Sequence, residues 1–201
     1  MNIYIIRHGD DDERYRGGWS NLPLIDVGIE KCKKLADYLY NNNVKIDRIV
    51  CSDLKRAKMT AQIIADKYNL DIIPDERLRE NNNGIFAGML NSEAEENYPH
   101  CHFGELDYDE AFPEGESPRE FFDRIKKDFF ELIEENRDVE NLVIVTHGGV
   151  ISIVRHILHG IEWSNKNKGM GIKKTSITKL NLDKDGNYTI EYENMIPHLE
   201  E

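Results

Sequence analysis

The sequence predicts an α/β sandwich built on a mostly parallel β-sheet. Short apolar runs of strand length alternate with amphipathic runs of helix length along most of the chain. One late run, residues 142–145, is apolar at every position, which is typical of a strand covered on both faces. Because ligands bind at the carboxyl ends of strands in such sheets, the residues after each strand are the candidates for binding and catalysis.

The first half of the chain is predicted to alternate between strands and helices. We expect Asp26 to cap the first helix, which ends at the asparagine run 41–43. The second helix covers residues 55–68 and carries an apolar face. Pro74 ends the third strand. Three strands are predicted, at residues 2–6, within residues 46–51 and at residues 71–73.

The second half opens with an irregular segment and then returns to regular elements. Residues 91–115 are acidic and contain Pro, His and Gly, so we interpret them as a small lid insertion. Ser117 is predicted as the N-cap, and Pro118 as the first residue, of a helix with a strong apolar stripe. The later elements are the strand at 142–145, a helix over 150–158, and a hairpin with strands around 175–182 and 188–193.

The charge balance excludes two broad classes of function. Lys and Arg total 26 of the 201 residues and Asp and Glu total 38, so the formal net charge is −12. General nucleic-acid binding and adhesion to anionic membranes both need basic surface, so neither is expected. A small phosphorylated substrate held in a locally basic pocket remains compatible with this charge.

The cysteines and the N-terminus indicate a cytoplasmic protein. Cys32, Cys51 and Cys101 form no CxxC pair, and an odd number of cysteines suits a reducing compartment. The first residues do not resemble a signal peptide, and no apolar run approaches the roughly 18 residues of a membrane span. We expect one domain over residues 1–201.

Four polar segments follow strands or lie beside them, and together they suggest chemistry on phosphate. Arg7 and His8 follow the first strand, His147 follows the late apolar strand, and Arg56 and Glu80 lie in two further segments. Arginine matches phosphate oxygens in a bidentate manner, and a neutral imidazole is a competent nucleophile. A carboxyl group can protonate a leaving oxygen, and arginines can stabilise a transferring phosphoryl group without a metal.

Six motifs resemble those of the histidine phosphatase superfamily and occur in the order that this family has. The superfamily contains the cofactor-dependent phosphoglycerate mutases. The resemblance implies a phosphoglycerate mutase-like, three-layer α/β/α sandwich. The motifs span most of the chain and are more specific together than any one alone. They are Arg7-His8-Gly9, residues 23–28 (PLIDVG), 52–61 (SDLKRAKMTA), 78–88 (LRENNNGIFAG) and 113–117 (PEGES), and Thr146-His147-Gly148-Gly149.

The resemblance also implies a role for each residue. His8 would attack phosphorus and become a phosphohistidine, which requires one free ring nitrogen and a hydrogen bond that fixes the tautomer. Arg7, Arg56 and His147 would bind the phosphoryl oxygens, and His147 would also belong to the catalytic set. Glu80 would act as general acid and then as general base. No metal and no cofactor are implied.

Some positions leave alternatives open. Glu76 or an acidic residue of the lid could take the task of Glu80. The acidic run 10–13 stands where the family usually has Glu-Thr, and Arg14 stands near the position of the usual Asn. This run is either a solvated loop or lines the mouth of the pocket, with Asp11 and Arg14 at its rim. In the second case it would disfavour highly anionic substrates or favour substrates with a cationic end.

Hydrolysis is the predicted reaction, with two alternatives. In the mutase branch the glutamate is followed by Arg, His and Tyr, whereas here Glu80 is followed by three asparagines, so the mutase is the weaker hypothesis. A non-catalytic phosphate-binding regulatory protein is the other. Sugar phosphates, nucleotides, a ribazole phosphate and phosphoserine all fit as substrates, and the lid aromatics could line an apolar wall. The hairpin edge strand could pair with a second subunit.

Overall fold

The computed structural model describes residues 1–167 and 171–200, which form a six-stranded sheet with helices on both faces. The helices are α1 (Asp26–Asn41), α2 (Lys55–Tyr68), α3 (Asn91–Asn97), α4 (Pro118–Glu135) and α5 (Gly148–His159). The strands are β1 (Asn2–Arg7), β2 (Arg48–Ser52), β3 (Ile72–Asp75), β4 (Asn141–Thr146), β5 (Ile177–Leu182) and β6 (Tyr188–Met195).

The sheet has the strand order β3-β2-β4-β1-β5-β6. The four strands from β3 to β1 are parallel, so their carboxyl ends share one edge of the sheet. Strand β5 is antiparallel to β1, which brings the start of β5 beside the end of β1. The predicted mostly parallel sheet is therefore confirmed, and the C-terminal hairpin extends it with two antiparallel pairings.

Two apolar cores, one on each face of the sheet, make the three layers. Helices α1 and α2 cover one face, where Tyr4 and Ile6 of β1 point, and α4 and α5 cover the other, where Ile3 and Ile5 point. Every residue of β4 is buried, as predicted for a strand covered on both sides. The residues after β1, β2 and β4 are therefore held at the rim of a rigid frame.

The predicted start of α4 is confirmed, whereas that of α1 is wrong in detail. The Ser117 side chain accepts a hydrogen bond from the Glu120 N–H at 3.2 Å, and the Glu120 carboxylate accepts the Ser117 N–H at 2.7 Å. In α1 the N-cap is Ile25, which makes no side-chain cap, and Asp26 is the first helical residue. Asp is favoured both at the N-cap and in the first turn, where a carboxylate interacts favourably with the helix dipole, so residue type alone did not fix the position.

Pro74 lies inside β3 rather than at its end, which corrects the predicted boundary. Strand β3 is the edge of the sheet, and proline is tolerated there because an edge residue need not donate to a second strand.

The segment 91–115 has more structure than its composition indicated. It contains α3 and, with Phe86, a small apolar cluster of Ala94, Leu106 and Phe112. Phe103 bridges this cluster to Trp163 and the main core. Its role as a lid stays a prediction. Within the described part of the chain, no helix has the length and apolar character needed to cross a bilayer.

Candidate active site

His8 is buried at the end of β1, and its hydrogen bonds fix one tautomer. Its Nδ1 lies 2.7 Å from the carbonyl oxygen of Gly9, an acceptor that requires a proton on Nδ1. Its Nε2 accepts a hydrogen bond from Nε of Arg56 at 3.2 Å. Burial, reinforced by His147 and Arg56, holds the pKa of His8 well below its usual value. The side chain is therefore neutral, with the lone pair on Nε2.

Arg56 lies in the first turn of α2, and each of its three guanidinium nitrogens donates at least one hydrogen bond. Nη1 donates to the carbonyl oxygen of Ser20 at 2.8 Å, and Nη2 donates to the carbonyl oxygen of Gly18 at 2.7 Å. Burial lowers the pKa of Arg56, and the carboxylates of Asp11 and Glu80 partly offset that effect. A lowered arginine pKa still leaves the group charged, so Arg56 is a permanent cation beside His8.

The loop that holds Arg56 depends on an asparagine whose role the sequence did not reveal. Gly18 has a φ of +56°, and a Cβ there would lie 1.9 Å from Oδ1 of Asn83. That same oxygen accepts the backbone N–H of Trp19 at 3.1 Å. The paired glycines at 17 and 18 were the one sequence signal of this close approach.

Arg7 reaches from the end of β1 to the start of α5. Its Nη1 donates to the carbonyl oxygen of Ile172, whereas its buried Nε has no hydrogen-bond partner among the described residues. A Cβ on Gly148 would lie 3.3 Å from Nε and Cζ of Arg7, so the glycine allows the guanidinium to lie against the helix start. Burial lowers the pKa of Arg7, and Glu80 and Asp11 oppose that shift.

His147 is the N-cap of α5 and is completely buried. Its Nε2 lies 2.8 Å from Oγ of Ser52, which itself accepts the N–H of Leu54 at 3.3 Å. If the Ser52 hydroxyl donates to Nε2, then Nδ1 carries the proton, and Nδ1 is buried with no partner among the described residues. The His147 ring centroid is 5.0 Å from that of His8. Burial and the nearby Arg56 keep the pKa of His147 well below its usual value.

Glu80 is held against the beginning of α5. Its Oε2 accepts the backbone N–H of Gly149 at 3.0 Å, and its Oε1 accepts that of Asn81 at 3.2 Å. Its carbonyl oxygen accepts Nε1 of Trp19 at 2.7 Å and Nη2 of Arg124 at 3.1 Å. The carboxylate is thus fixed on the same rim as His8 and His147.

The alternative acid, Glu76, points away from this rim. Its side chain is 76% exposed and lies 3.8 Å from Arg79. Glu116 of the PEGES motif contacts the loop after Glu80. It pairs with Arg124 at 2.7 Å and accepts the N–H of Asn82 at 2.7 Å. These contacts support the loop that carries Glu80.

Of the acidic run, one residue enters the site. Asp11 is buried, with one carboxylate oxygen paired to Lys174 and the other 3.5 Å from Nε of Arg56. Lys174, in the loop before β5, was not among the residues expected from the sequence. Because β5 runs antiparallel to β1, the residues before β5 lie beside the end of β1, and that topology was the signal available.

Two other residues of the run pair with cations outside the site. Asp10 pairs with Lys31 at 3.0 Å, and Asp12 pairs with Arg14 at 2.6 Å. The Arg14 side chain is 78% exposed, and its described polar contacts are with Asp12. A rim position for Arg14 stays a prediction.

His102, in the sequence His100-Cys101-His102, belongs to a separate cluster. Nδ1 of His102 lies 2.6 Å from Nη1 of Arg16, and its Nε2 lies 3.0 Å from Glu95. Within residues 1–167 and 171–200, no three His, Cys, Asp or Glu side chains converge as metal ligands would.

Together these contacts bring nitrogen donors to the part of the rim where the unprotonated Nε2 of His8 lies. Arg56 contacts that nitrogen directly. Nε of Arg7 lies at the end of β1, and Nδ1 of His147 lies at the start of α5. Both atoms are buried and lack partners in the described part of the chain. Buried donors without partners are costly, so they indicate a place built for a bound acceptor. The donor set is suited to a tetrahedral oxyanion.

Known proteins resemble this chain over nearly its whole length. A sequence profile described as "Histidine phosphatase superfamily (branch 1)" matches residues 3–195. Phosphoglycerate mutase-like protein 4 of Arabidopsis thaliana is 32% identical over 206 residues, which cover 99% of this chain and 87% of that protein. A broad-specificity phosphatase of Saccharomyces cerevisiae is 30% identical over 194 residues, with coverages of 92% and 81%. The solved structure of Bacillus stearothermophilus YhfR gives a TM-score of 0.87 at 26% identity over 99% of both chains.

Proposed function

The chain belongs to branch 1 of the histidine phosphatase superfamily, and from that premise we propose that it is a metal-independent phosphomonoester hydrolase acting through a phosphohistidine at His8. The observation that carries the proposal is the fixed tautomer of His8, which leaves Nε2 unprotonated and in contact with the Arg56 guanidinium. Relatives that are named phosphatases support hydrolysis as the reaction class.

In the first step, the Nε2 lone pair of His8 attacks phosphorus while the bond from phosphorus to the ester oxygen breaks. Arg7, Arg56 and His147 hold the phosphoryl oxygens and stabilise the charge that spreads over them. Glu80, in its protonated form, gives its proton to the departing alcohol oxygen. The products of this step are the free alcohol, a phosphorylated His8 and a Glu80 carboxylate.

In the second step, Glu80 takes a proton from a water molecule as the water oxygen attacks phosphorus. The phosphorus–nitrogen bond breaks, and its electron pair returns to Nε2 of His8. Inorganic phosphate leaves, and Glu80 is protonated again for the next cycle. One carboxyl group serves both steps because leaving alcohol and attacking water occupy the same side of the phosphoryl group.

The loop after Glu80 supports hydrolysis over mutase chemistry. Two of its three asparagines serve the fold, since Asn82 accepts the N–H of Gly84 at 3.0 Å and Asn83 holds Trp19. A mutase needs cationic side chains here to hold the carboxylate of a phosphoglycerate, and this loop offers amides instead.

We also propose a small phosphorylated substrate and a cytoplasmic location. The buried thiols of Cys32 and Cys51 and the partly exposed Cys101 are free, which suits a reducing compartment. The substrate has to present one phosphoryl group to a buried cradle, so compact phosphomonoesters fit best.

The intermediate itself is the test. In a Glu80→Gln variant, the second step lacks its base, so label from a ³²P-phosphomonoester with a good leaving group should accumulate on the protein. The label should map to His8 and be stable in alkali but lost in acid. Glu76→Gln is the matched control, because its exposed carboxylate faces Arg79 and should leave the label transient. Label on another residue, or no label with turnover intact, would contradict the proposal.

A further inference from the structure

Lys174 is a mostly buried cation in the loop before β5, which lies beside the end of β1. Its side chain is 13% exposed, and it pairs with Asp11 and lies 3.9 Å from the exposed Glu13. Its positive charge reaches both histidines, since Lys174 contributes to the lowered pKa of His8 and of His147. Its partner Asp11 lies 3.5 Å from Nε of Arg56, which donates to His8, so Lys174 lies close to the place where we expect the phosphoryl group.

The backbone holds Lys174 in this place tightly. The next residue, Thr175, is buried and has a φ of +59°, a conformation that is rare for a β-branched side chain. Its N–H donates to the carbonyl oxygens of Arg7 and His8, at 3.1 and 3.4 Å. Its hydroxyl donates to the carbonyl oxygen of Lys174 at 2.7 Å. Backbone strain of this kind persists where surrounding contacts enforce it. Here the contacts come from the backbone carbonyl groups of Arg7 and His8.

Asp11 bridges this lysine to the arginine that contacts the nucleophile. One carboxylate oxygen meets Lys174, and the other lies 3.5 Å from Nε of Arg56, the same atom that donates to His8. A carboxylate and a phosphoryl group seek the same donors. Asp11 and an incoming phosphate therefore compete for two cations.

We propose that Lys174 is a further phosphoryl-binding residue and that Asp11 is its built-in competitor, which weakens the hold of the site on inorganic phosphate. An ammonium has three donors, so Lys174 can turn from Asp11 to a phosphoryl oxygen. Phosphate is the product of the hydrolysis, so this competition favours product release. The inference rests on the proposed function for its biological meaning but makes a separate claim about binding.

The test is direct calorimetric binding of inorganic phosphate, which needs no turnover. Asp11→Asn should bind phosphate about tenfold more tightly than the wild type, since one competing charged contact is removed. The double variant Asp11→Asn/Lys174→Met should lose at least about tenfold of that affinity. This comparison isolates the lysine, because the Asp11 charge is absent from both proteins. A lysine that only neutralised Asp11 would have no effect in the Asp11→Asn background.

A matched pair elsewhere controls for the change in overall charge. Asp10→Asn and Asp10→Asn/Lys31→Met make the same charge changes at a partly exposed pair that joins the loop after β1 to α1, and should leave phosphate affinity unchanged. Equal affinity of Asp11→Asn and the Asp11→Asn/Lys174→Met double variant, or no gain from Asp11→Asn, would overturn the inference. Turnover of an aryl phosphate is measured separately. If phosphate affinities change as expected but the protein does not hydrolyse the aryl phosphate, only the proposed function is contradicted. If the protein hydrolyses it but the affinities do not change as expected, only the role of Lys174 and Asp11 is contradicted.

Discussion

The carboxylate of Glu80 accepts the backbone N–H of Gly149 at 3.0 Å, so the proposed general acid is fastened to the helix that begins just after His147. The contact needs a glycine, since a Cβ on residue 149 would lie 2.3 Å from Oε1 of Glu80 and 3.0 Å from Phe121. Two residues of the THGG motif therefore shape this place. His147 occupies the N-cap position of α5, and Gly149 leaves space for the Glu80 carboxylate.

Gly149→Ala should therefore displace Glu80 and spare the fold. The severe conflict is with the end of the flexible Glu80 side chain, which can move away at little cost in stability, whereas Phe121 has to give by only a few tenths of an ångström. We expect kcat to fall by about 10²–10³-fold, as for loss of general acid catalysis, with the thermal midpoint close to that of the wild type. Gly17→Ala is the control, because a Cβ there meets nothing within 4 Å. Full activity in Gly149→Ala would contradict the role given to Glu80.

Ser52→Ala should weaken phosphate binding through His147. The hydroxyl of Ser52 lies 2.8 Å from Nε2 of His147, and its loss frees the imidazole to place its proton on Nε2, away from the phosphoryl group. We expect kcat/KM for an aryl phosphate to fall about tenfold, the effect of one hydrogen bond. The inhibition constant for orthovanadate should rise in parallel. Unchanged vanadate inhibition would show that Ser52 does not set the tautomer.

The phosphatase assignment makes a negative prediction about 3-phosphoglycerate. The protein should not isomerise it to 2-phosphoglycerate, even with 2,3-bisphosphoglycerate present, because the loop after Glu80 carries Asn81–Asn83 where a carboxylate would need cations. The measurement is a ³¹P NMR time course at the enzyme concentration that hydrolyses an aryl phosphate. Isomerisation at a rate near that of hydrolysis would favour the mutase instead.

His198 should make the fold sensitive to acid. Burial and Lys34 lower its pKa to about 4, while its Nε2 lies 2.9 Å from the hydroxyl of Thr175. Below about pH 6.5 the unfolded chain binds a proton that native His198 does not bind, so the free energy of unfolding should fall as pH drops from about 6.5 to about 4. His8 and His147, whose pKa values are also lowered, act in the same direction.

His198→Gln should reduce that slope by up to one proton, or at most about 1.4 kcal/mol per pH unit. Urea unfolding at several pH values between 4.5 and 7 measures it, and His100→Gln reports the effect of replacing an exposed histidine. Equal slopes for the wild type and His198→Gln would refute the assignment.

Local patterns predicted most of the fold, and tertiary context decided the rest. Helix α2 begins and ends where its periodicity indicated, because apolar spacing and the turn at Asn69 are local properties. The boundary at Pro74 was misjudged because tolerance for proline depends on β3 being an edge strand, which only the assembled sheet determines. Similarly, Asp26 has the type of a capping residue but lies one position too late.

The candidate site divides in the same way. His8, Arg7, Arg56, Glu80 and His147 follow recognisable motifs, and the structure places them on one rim, although their roles stay proposals. Lys174 lies in no motif and enters the site because β5 pairs with β1 in reverse direction. The asparagines after Glu80 looked like turn residues, yet Asn83 also holds the loop that binds Arg56. Such long-range contacts leave no trace in local spacing.

The metal-independent phosphohistidine mechanism is tested most directly by assaying hydrolysis of a small aryl phosphate. The assay compares the wild type with His8→Ala, with a metal chelator present throughout. We expect wild-type activity to survive the chelator, and His8→Ala to lose activity by several orders of magnitude while still folding. Activity that persists in His8→Ala would contradict the phosphohistidine mechanism, and wild-type activity abolished by the chelator would contradict its independence of metal.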